Sequence, residues 1–386
     1  MVSLDELNKK IKEILPEITK IRHDLHKIPE IAGKEYKTSA FIRQKLLQWN
    51  LEVKSPFLET DVIAFINVEK EKNLTLRADI DALPICEDNA DLSYRSVHPG
   101  MMHACGHDGH AAMLLGAAKI LSEIKQEISC SIRFLFQPGE EMASLAENLL
   151  EAGALQKPEP DFITGLHNWP GEEYGKINTK AGVLMAAAGF FRIMIYGKGG
   201  HGSLPHLANN PLDCAAEIMT ECRKIVPEDC VLTFCSCLGG NCNNVIPEVT
   251  ELLGTVRFLE QEKGNKLLSD FENTVKQIAE QRKIDCDFSC PLPYIPLINR
   301  IEDFEKTKNI IIDNLGENTF CELPSHTMSS EDFSWYLQKY PGIFCHLGAG
   351  NSKPLHSNKY DFDDNLLEYG IRYFCIMALN SDKLFC

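Results

Sequence analysis

At 386 residues the chain is too long for one ordinary hydrophobic core, so two domains are expected. Its 44% apolar and 24% charged content fits a globular enzyme and excludes a disordered chain. A formal net charge of -16 argues against a nucleic-acid or anionic-membrane partner, because nothing would offset repulsion from phosphate.

The opening stretch, MVSLDELNKKIKEIL, is charged and amphipathic and lacks the apolar core of a signal peptide. No run approaches the ~18–20 apolar residues of a membrane helix. Leu4, Leu7, Ile11, Ile14, Ile18, Ile21 and Leu25 recur at helical spacing, and Pro16 is expected to kink or split that helix. A second helix is predicted over 36–49, then strands over 61–68 and 74–78. A helix rich in Ala and Leu follows from His107 to Ile124, then a buried strand from Ser129 to Phe136. Residues 144–155 read as helix and 161–166 as strand. Such alternation implies a mainly parallel sheet covered by helices, an α/β domain.

From about residue 184 the pattern changes. FFRIMIYGKGG is a strand ending in a glycine turn, and NNPLDCAAEIMTECRKIV is a helix with Asn/Pro start signals. VLTFCSCLGG and VTELLGTVRFL are strands, NKLLSDFENTVKQIAEQRK a helix, and IDCDFSCPLPY a last strand. The order βαββαβ is the ferredoxin-like unit. The expected organisation is therefore a larger α/β domain in two parts, 1–183 and 299–386, with an α+β small domain inserted at 184–298.

The 15 cysteines are an odd number without a CxxC pair, which reads as reduced thiols in a cytoplasmic protein. Cys105 stands apart through its neighbours. In MHACGHDGH, Cys105, His107 and His110 lie within six positions, at a turn before a helix. A thiolate two residues from an imidazole suits a divalent ion with mixed sulfur and nitrogen ligands. In QPGEE, Glu140 and Glu141 follow a strand directly; one carboxylate can bind metal while the other serves as general base. His167 in GLHNWP is placed just past a strand, and His356 lies in PLHSNKYDF. Asp79 and Asp81 in LRADIDALP end another strand, where they would orient a liganding histidine or hold the loop, with direct ligation by either the less favoured alternative. In open α/β sheets, ligands bind outside the carboxyl ends of strands.

The small domain adds GKGGHGSLPH, a glycine-rich turn exposing His201 and His206; a plain hairpin is the simpler alternative for it. Asn244 and Arg257 are further polar donors, and the arginine fork suits a substrate carboxylate.

Taken together, these segments resemble the dinuclear amidohydrolases, which include bacterial hippurate and N-acyl-amino-acid hydrolases and plant auxin-conjugate hydrolases. The resemblance runs nearly end to end, through RHDLHKIPE, LRADIDALPICE, MHACGHDGHAAMLLGAA, FQPGEE, GLHNWPG, GKGGHGSLPH, NVIPE, GTVRF, SSEDFSWY and LHSNKYDFDD. It implies two divalent ions (manganese, zinc, cobalt or nickel) held by Cys105, His107, Glu141, His167 and His356, with Cys105 bridging. It further implies Glu140 as general base and His201 as a group touching the substrate. Ser329 in MSSEDF departs from the glycine common in relatives, which puts the loop near the substrate in doubt. The expected reaction is hydrolysis of the amide bond of an N-acyl amino acid, with closure between domains as a gating step. A homodimer through the small domain is expected by the same resemblance. A dipeptidase or carboxypeptidase on the same metal centre, a catalytically silent binding protein of this fold and a thiol-storage protein are the alternatives.

Overall fold

The computed structural model describes residues 2–385. The chain forms two compact units. The first comprises Met1–Leu184, Ile298–Ser325 and Asp332–Cys386; the second comprises Met185–Leu297 and His326–Glu331.

The first helix, α1 (Leu4–His26), begins where the Ser3 side chain accepts the Glu6 backbone N–H. Leu7, Ile11, Ile14, Ile18, Ile21 and Leu25 form its buried stripe. Pro16 does not split it: the helix runs unbroken. Proline removes one backbone bond, whereas the apolar stripe is buried along the whole length.

Next come α2 (Tyr36–Gln48), β1 (Glu52–Val53), β2 (Val62–Ile66) and β3 (Asn73–Asp79). A long loop leads to α3 (His107–Glu123), followed by β4 (Ser131–Gln137), α4 (Ala146–Glu151), β5 (Phe162–Trp169), β6 (Ile177–Thr179) and β7 (Gly182–Met185). The chain then builds β8 (Ala187–Tyr196), β9 (Gly200–His201), α5 (Pro211–Cys222), β10 (Cys230–Leu238), β11 (Val245–Ile246), β12 (Val249–Phe258), α6 (Gln261–Arg282) and β13 (Asp285–Ser289). It ends with β14 (Leu297–Asn299), α7 (Ile301–Leu315), β15 (Phe320–Glu322), α8 (Ser334–Lys339), β16 (Gly342–Gly348) and α9 (Leu366–Leu379).

The first unit is built on an eight-stranded mixed sheet in the order β1-β2-β4-β3-β5-β16-β6-β15. Its centre is parallel: β3 runs beside β4 and β5, and β5 beside β16. The edges add antiparallel pairs, β1 with β2, β2 with β4 and β6 with β16. Register decides what leaves the sheet together. Asp79 pairs with Gln137, so the LRADIDALP and QPGEE loops emerge side by side. Arg77 pairs with Gly165, and Asp79 and His167 each lie two residues further along parallel strands. Three strands thus deliver polar groups to one carboxyl edge.

Helix α3 is buried on nearly every side, from His107 through Ala118. An all-round apolar helix belongs in a core, and this one contacts both α1 and α9. Such burial makes its N-terminal turn a rigid mount for side chains.

Several element ends differ from the sequence reading. Strand β5 continues through Trp169, so His167 lies inside the strand and not beyond it. The extension comes from β16, whose pairing carries β5 on to Trp169. The helix expected over 144–155 shrinks to α4, preceded by Ser144 at a positive φ of 49°. The strand expected over 284–294 stops at Ser289, before Pro291 and Pro293, which cannot donate to a ladder.

The second unit has its own antiparallel sheet, β10-β12-β8-β13, and its own core. Phe271 of α6 meets Phe191 of β8 edge-on at 5.0 Å, and Phe258, Leu252 and Ile193 are also fully buried.

Candidate metal centre

The turn before α3 needs a backbone that most residues refuse. Gly106 has φ +93°, and a Cβ there would lie 2.3 Å from Asn168 Oδ1. The turn places Cys105 and His107 against the ends of β3, β4 and β5. The His356 backbone N–H donates to Ala104 O at 2.8 Å, which ties the C-terminal loop to the same turn.

Glu141 sits at the centre of the cluster. Its Oε1 lies 3.2 Å from His356 Nε2 and 3.8 Å from His107 Nε2. Cys105 Sγ lies 3.4 Å from His167 Nε2. One ligand atom each from Cys105, His107 and Glu141 falls within 4.8 Å of the others, and so do atoms of Asp79, His107, His110 and His167. The five side chains read from the sequence as ligands, Cys105, His107, Glu141, His167 and His356, therefore converge within the first unit.

The carboxylates of β3 and its loop orient the histidines. Asp81 Oδ1 accepts from His107 Nδ1 at 3.2 Å, and its Oδ2 accepts the Glu141 backbone N–H at 3.0 Å. Asp79 accepts from His110 Nδ1 at 2.6 Å and from Arg77 at 2.8 Å. With Nδ1 engaged, His107 presents Nε2, which is buried without a hydrogen-bond partner. A buried imidazole nitrogen left bare beside a carboxylate is costly by itself and fits a cation ligand. A mixed sulfur, nitrogen and oxygen donor set suits zinc, manganese, cobalt or nickel.

Protonation follows the same logic. Burial, then the charges of Glu141 and Glu140, pushes the Cys105 thiol well above its ordinary range. A cation reverses that balance, because a liganding thiol is deprotonated outright. Burial opposes charge on His107, but Asp79, Asp81 and Glu141 outweigh it and push its pKa up to about 10. Burial and His110 hold His167 well below the usual imidazole range, leaving a neutral imidazole. Burial opposes charge on Glu141 too, yet the His356 bond and the His107 charge lower its pKa.

A family model described as peptidase family M20/M25/M40 matches residues 75–380. The chain belongs to this family. A similar relative is an IAA-amino acid hydrolase of Arabidopsis thaliana, 34% identical over 96% of this chain and 86% of that protein. The N-acetyl-L-cysteine deacetylase of Bacillus subtilis is 35% identical over 90% of this chain and 84% of its own length. Thermostable carboxypeptidase 2 of Saccharolobus solfataricus is 33% identical over 97% of this chain and 98% of its own. Among solved structures, a dinuclear metal-binding M20 peptidase from Bacillus subtilis superposes with a TM-score of 0.81 at 30% identity. That match covers 95% of this chain and 98% of the other.

In this M20/M25/M40 chain the residues read as substrate groups lie in the second unit. His201 is exposed on β9, where its Nδ1 accepts from Ser203 Oγ at 2.8 Å. Strand β9 pairs with β11, His201 opposite Val245, and Asn244 O accepts the Gly202 N–H at 2.8 Å. The glycine-rich turn and NNVIPE thus form one small antiparallel pair. Arg257 Nη1 donates to Met328 O at 2.7 Å and to Ser330 Oγ at 2.9 Å, so the MSSEDF loop engages part of the fork assigned to a substrate carboxylate. Ser329 sits in that loop, its carbonyl accepting the Ala186 N–H at 2.9 Å.

Two further groups touch the cluster: His110, present in the MHACGHDGH motif but given no role of its own, and Arg77, which the sequence does not single out. His110 Nε2 lies 2.6 Å from Asn168 Oδ1, and Asn168 Nδ2 donates to the Tyr360 hydroxyl at 2.7 Å. The three-residue spacing of His107 and His110 on one helix was the available signal. Arg77 donates to Gln137 Oε1 and Asp332 as well as to Asp79, joining three motifs beneath the site. Nothing local in the sequence marks that network.

Proposed function

We propose that the chain hydrolyses the amide bond of N-acyl amino acids, releasing a carboxylic acid and an amino acid. One observation carries the reading: the convergence of Cys105, His107, His167 and His356 about Glu141, with Glu140 next in the chain. The names of the Arabidopsis and Bacillus relatives support the substrate class.

Cys105, His107, Glu141, His167 and His356 are the residues that would hold two divalent ions. When bound, such ions polarise a carbonyl and lower the pKa of water towards ~7. Glu140 takes the proton of the attacking water and returns it to the leaving amine. Asp81 and Asp79 hold His107 and His110 in the tautomer and orientation that ligation needs. His201 and Asn244 are proposed as donors to the developing oxyanion, and Arg257 as the partner of the substrate carboxylate. The second unit is read as an inserted ferredoxin-like domain spanning 184–298, and a homodimer formed through it and a cytoplasmic location complete the proposal.

A second reading, a dipeptidase or carboxypeptidase using the same residues, is favoured by the name of the Saccharolobus relative. A panel of N-acetyl amino acids, N-benzoyl amino acids and dipeptides, run with manganese, zinc and cobalt in turn, separates the two. The first reading expects the highest kcat/KM on an acyl amino acid; a free α-amino group on the best substrate would favour the second.

A further inference from the structure

Glu35 stands at the N-cap of α2, yet its side chain caps nothing. That work falls to Glu30, whose Oε2 accepts the backbone N–H groups of Lys37 and Thr38 at 2.8 and 2.9 Å. The Glu35 carboxylate is directed elsewhere. Its Oε1 accepts the Gly33 N–H at 2.8 Å and, far along the chain, the Gly139 N–H at 2.9 Å. Its Oε2 accepts from the Thr60 hydroxyl at 2.8 Å. The residue is fully buried, and burial, followed by the Asp81 charge, pushes its pKa up to about 7. A carboxyl group held so far from water is expensive unless its bonds serve a purpose.

Gly139 immediately precedes Glu140. On the other side, the Glu141 N–H is held by Asp81 Oδ2 at 3.0 Å. Glu140 therefore hangs between two backbone amides, each fixed by a carboxylate from a different part of the chain. The turn itself is demanding: Gly139 has φ +66°, and a Cβ there would lie 2.6 Å from Leu145 Cδ1.

We propose that Glu35 is a positioning residue for Glu140, clamping through Gly139 the backbone of the loop that carries the base. This rests on the reading of Glu140 as general base. A shift of about 1 Å in a catalytic group can cost roughly a hundredfold in rate, so a clamp one residue away has room to matter.

The test compares the manganese-loaded chain as wild type, Glu35→Gln, Glu35→Asp and Glu35→Ala, with Glu140→Gln alongside, on an N-acetyl amino acid. Gln keeps the length and one oxygen for both amides, so kcat stays within about threefold of wild type. Asp keeps the charge but withdraws the oxygen by one methylene, so kcat falls roughly ten- to hundredfold while KM and metal content hold. Glu35→Ala follows Asp; where it fails to fold, the Gln and Asp pair decides. Hydrogen exchange at the Gly139 amide of the metal-free chain supplies a readout independent of turnover: slow in wild type and Gln, fast in Asp. The inference is overturned by an Asp variant with wild-type kcat, by a Gln variant as impaired as Asp, or by unchanged Gly139 exchange in Asp. A Glu35→Ala chain with a lowered melting temperature and undiminished kcat overturns it too. Full turnover in Glu140→Gln sinks the base reading, and the inference with it. An inactive Glu140→Gln beside a fully active Glu35→Asp sinks the inference alone.

Discussion

The residues of the first unit that carry the proposed chemistry and those assigned to it in the second are held in opposite ways. Cys105, His107, His167 and Glu141 sit in or close to the interior, each touching another polar group of the cluster. His201 and Asn244 lie exposed on a two-residue strand and the turn beside its partner. Burial does chemical work in the first region: it raises the Cys105 thiol and holds His167 neutral, while the surrounding carboxylates outweigh burial at His107 and raise its pKa. In the second region His201 is held by the short β9–β11 pairing and one bond from its neighbour Ser203, at the surface. Damage to the buried region should therefore cost ions as well as rate, and damage to the exposed region should cost rate alone.

The sharpest break in that comparison is Cys105→Ala or Glu141→Ala. Either should lose at least one ion by metal analysis and several kcal/mol of transition-state stabilisation, on the order of a thousandfold in kcat/KM. His201→Ala should keep both ions and lose roughly a hundredfold in kcat. Loss of metal in that variant would erase the distinction between the regions. Asp81→Asn should retain the fold and weaken metal affinity roughly ten- to a hundredfold, measured by competition with a chelator.

A last effect, on stability and not on turnover, lies in its pH dependence. His26 of α1 meets Asp108 Oδ2 at 2.8 Å and Glu87 at 3.3 Å. Burial opposes its charge, but Asp108 and Glu87 outweigh burial and push its pKa from 6.5 up to about 9. A raised histidine pKa means the folded state binds the extra proton between those values. Its stabilisation is full below pH 6.5 and is lost as pH rises through about 9. At about 1.4 kcal/mol per pH unit, this amounts to on the order of 3 kcal/mol. Urea midpoints across that window should fall in wild type and flatten in His26→Gln.

Much of the centre was legible because its signals are local. A cysteine and three histidines crowd into MHACGHDGH, two carboxylates end QPGEE, and the resemblance joined them to His167 and His356. What escaped was decided by distant partners. Residue 167 falls inside β5 only because β16 extends the pairing there. Arg77 looks like any strand residue until Asp332 and Gln137 close around it. Glu30 and Glu35 both stand near a helix start, and which one caps is settled by a glycine amide contributed by another loop. Pro16 misled in the other direction, since local propensity yields to a stripe of buried isoleucines and leucines.

Turnover of an N-acetyl amino acid by manganese-loaded wild type and Glu140→Gln, with the ions counted in both, tests the account most directly. We expect acetate and free amino acid from the wild type, the same ion content in the variant, and a rate lower by roughly a hundred- to ten-thousandfold. Equal rates in the two chains, or a wild type that holds its ions and cleaves no acyl amino acid, would contradict it.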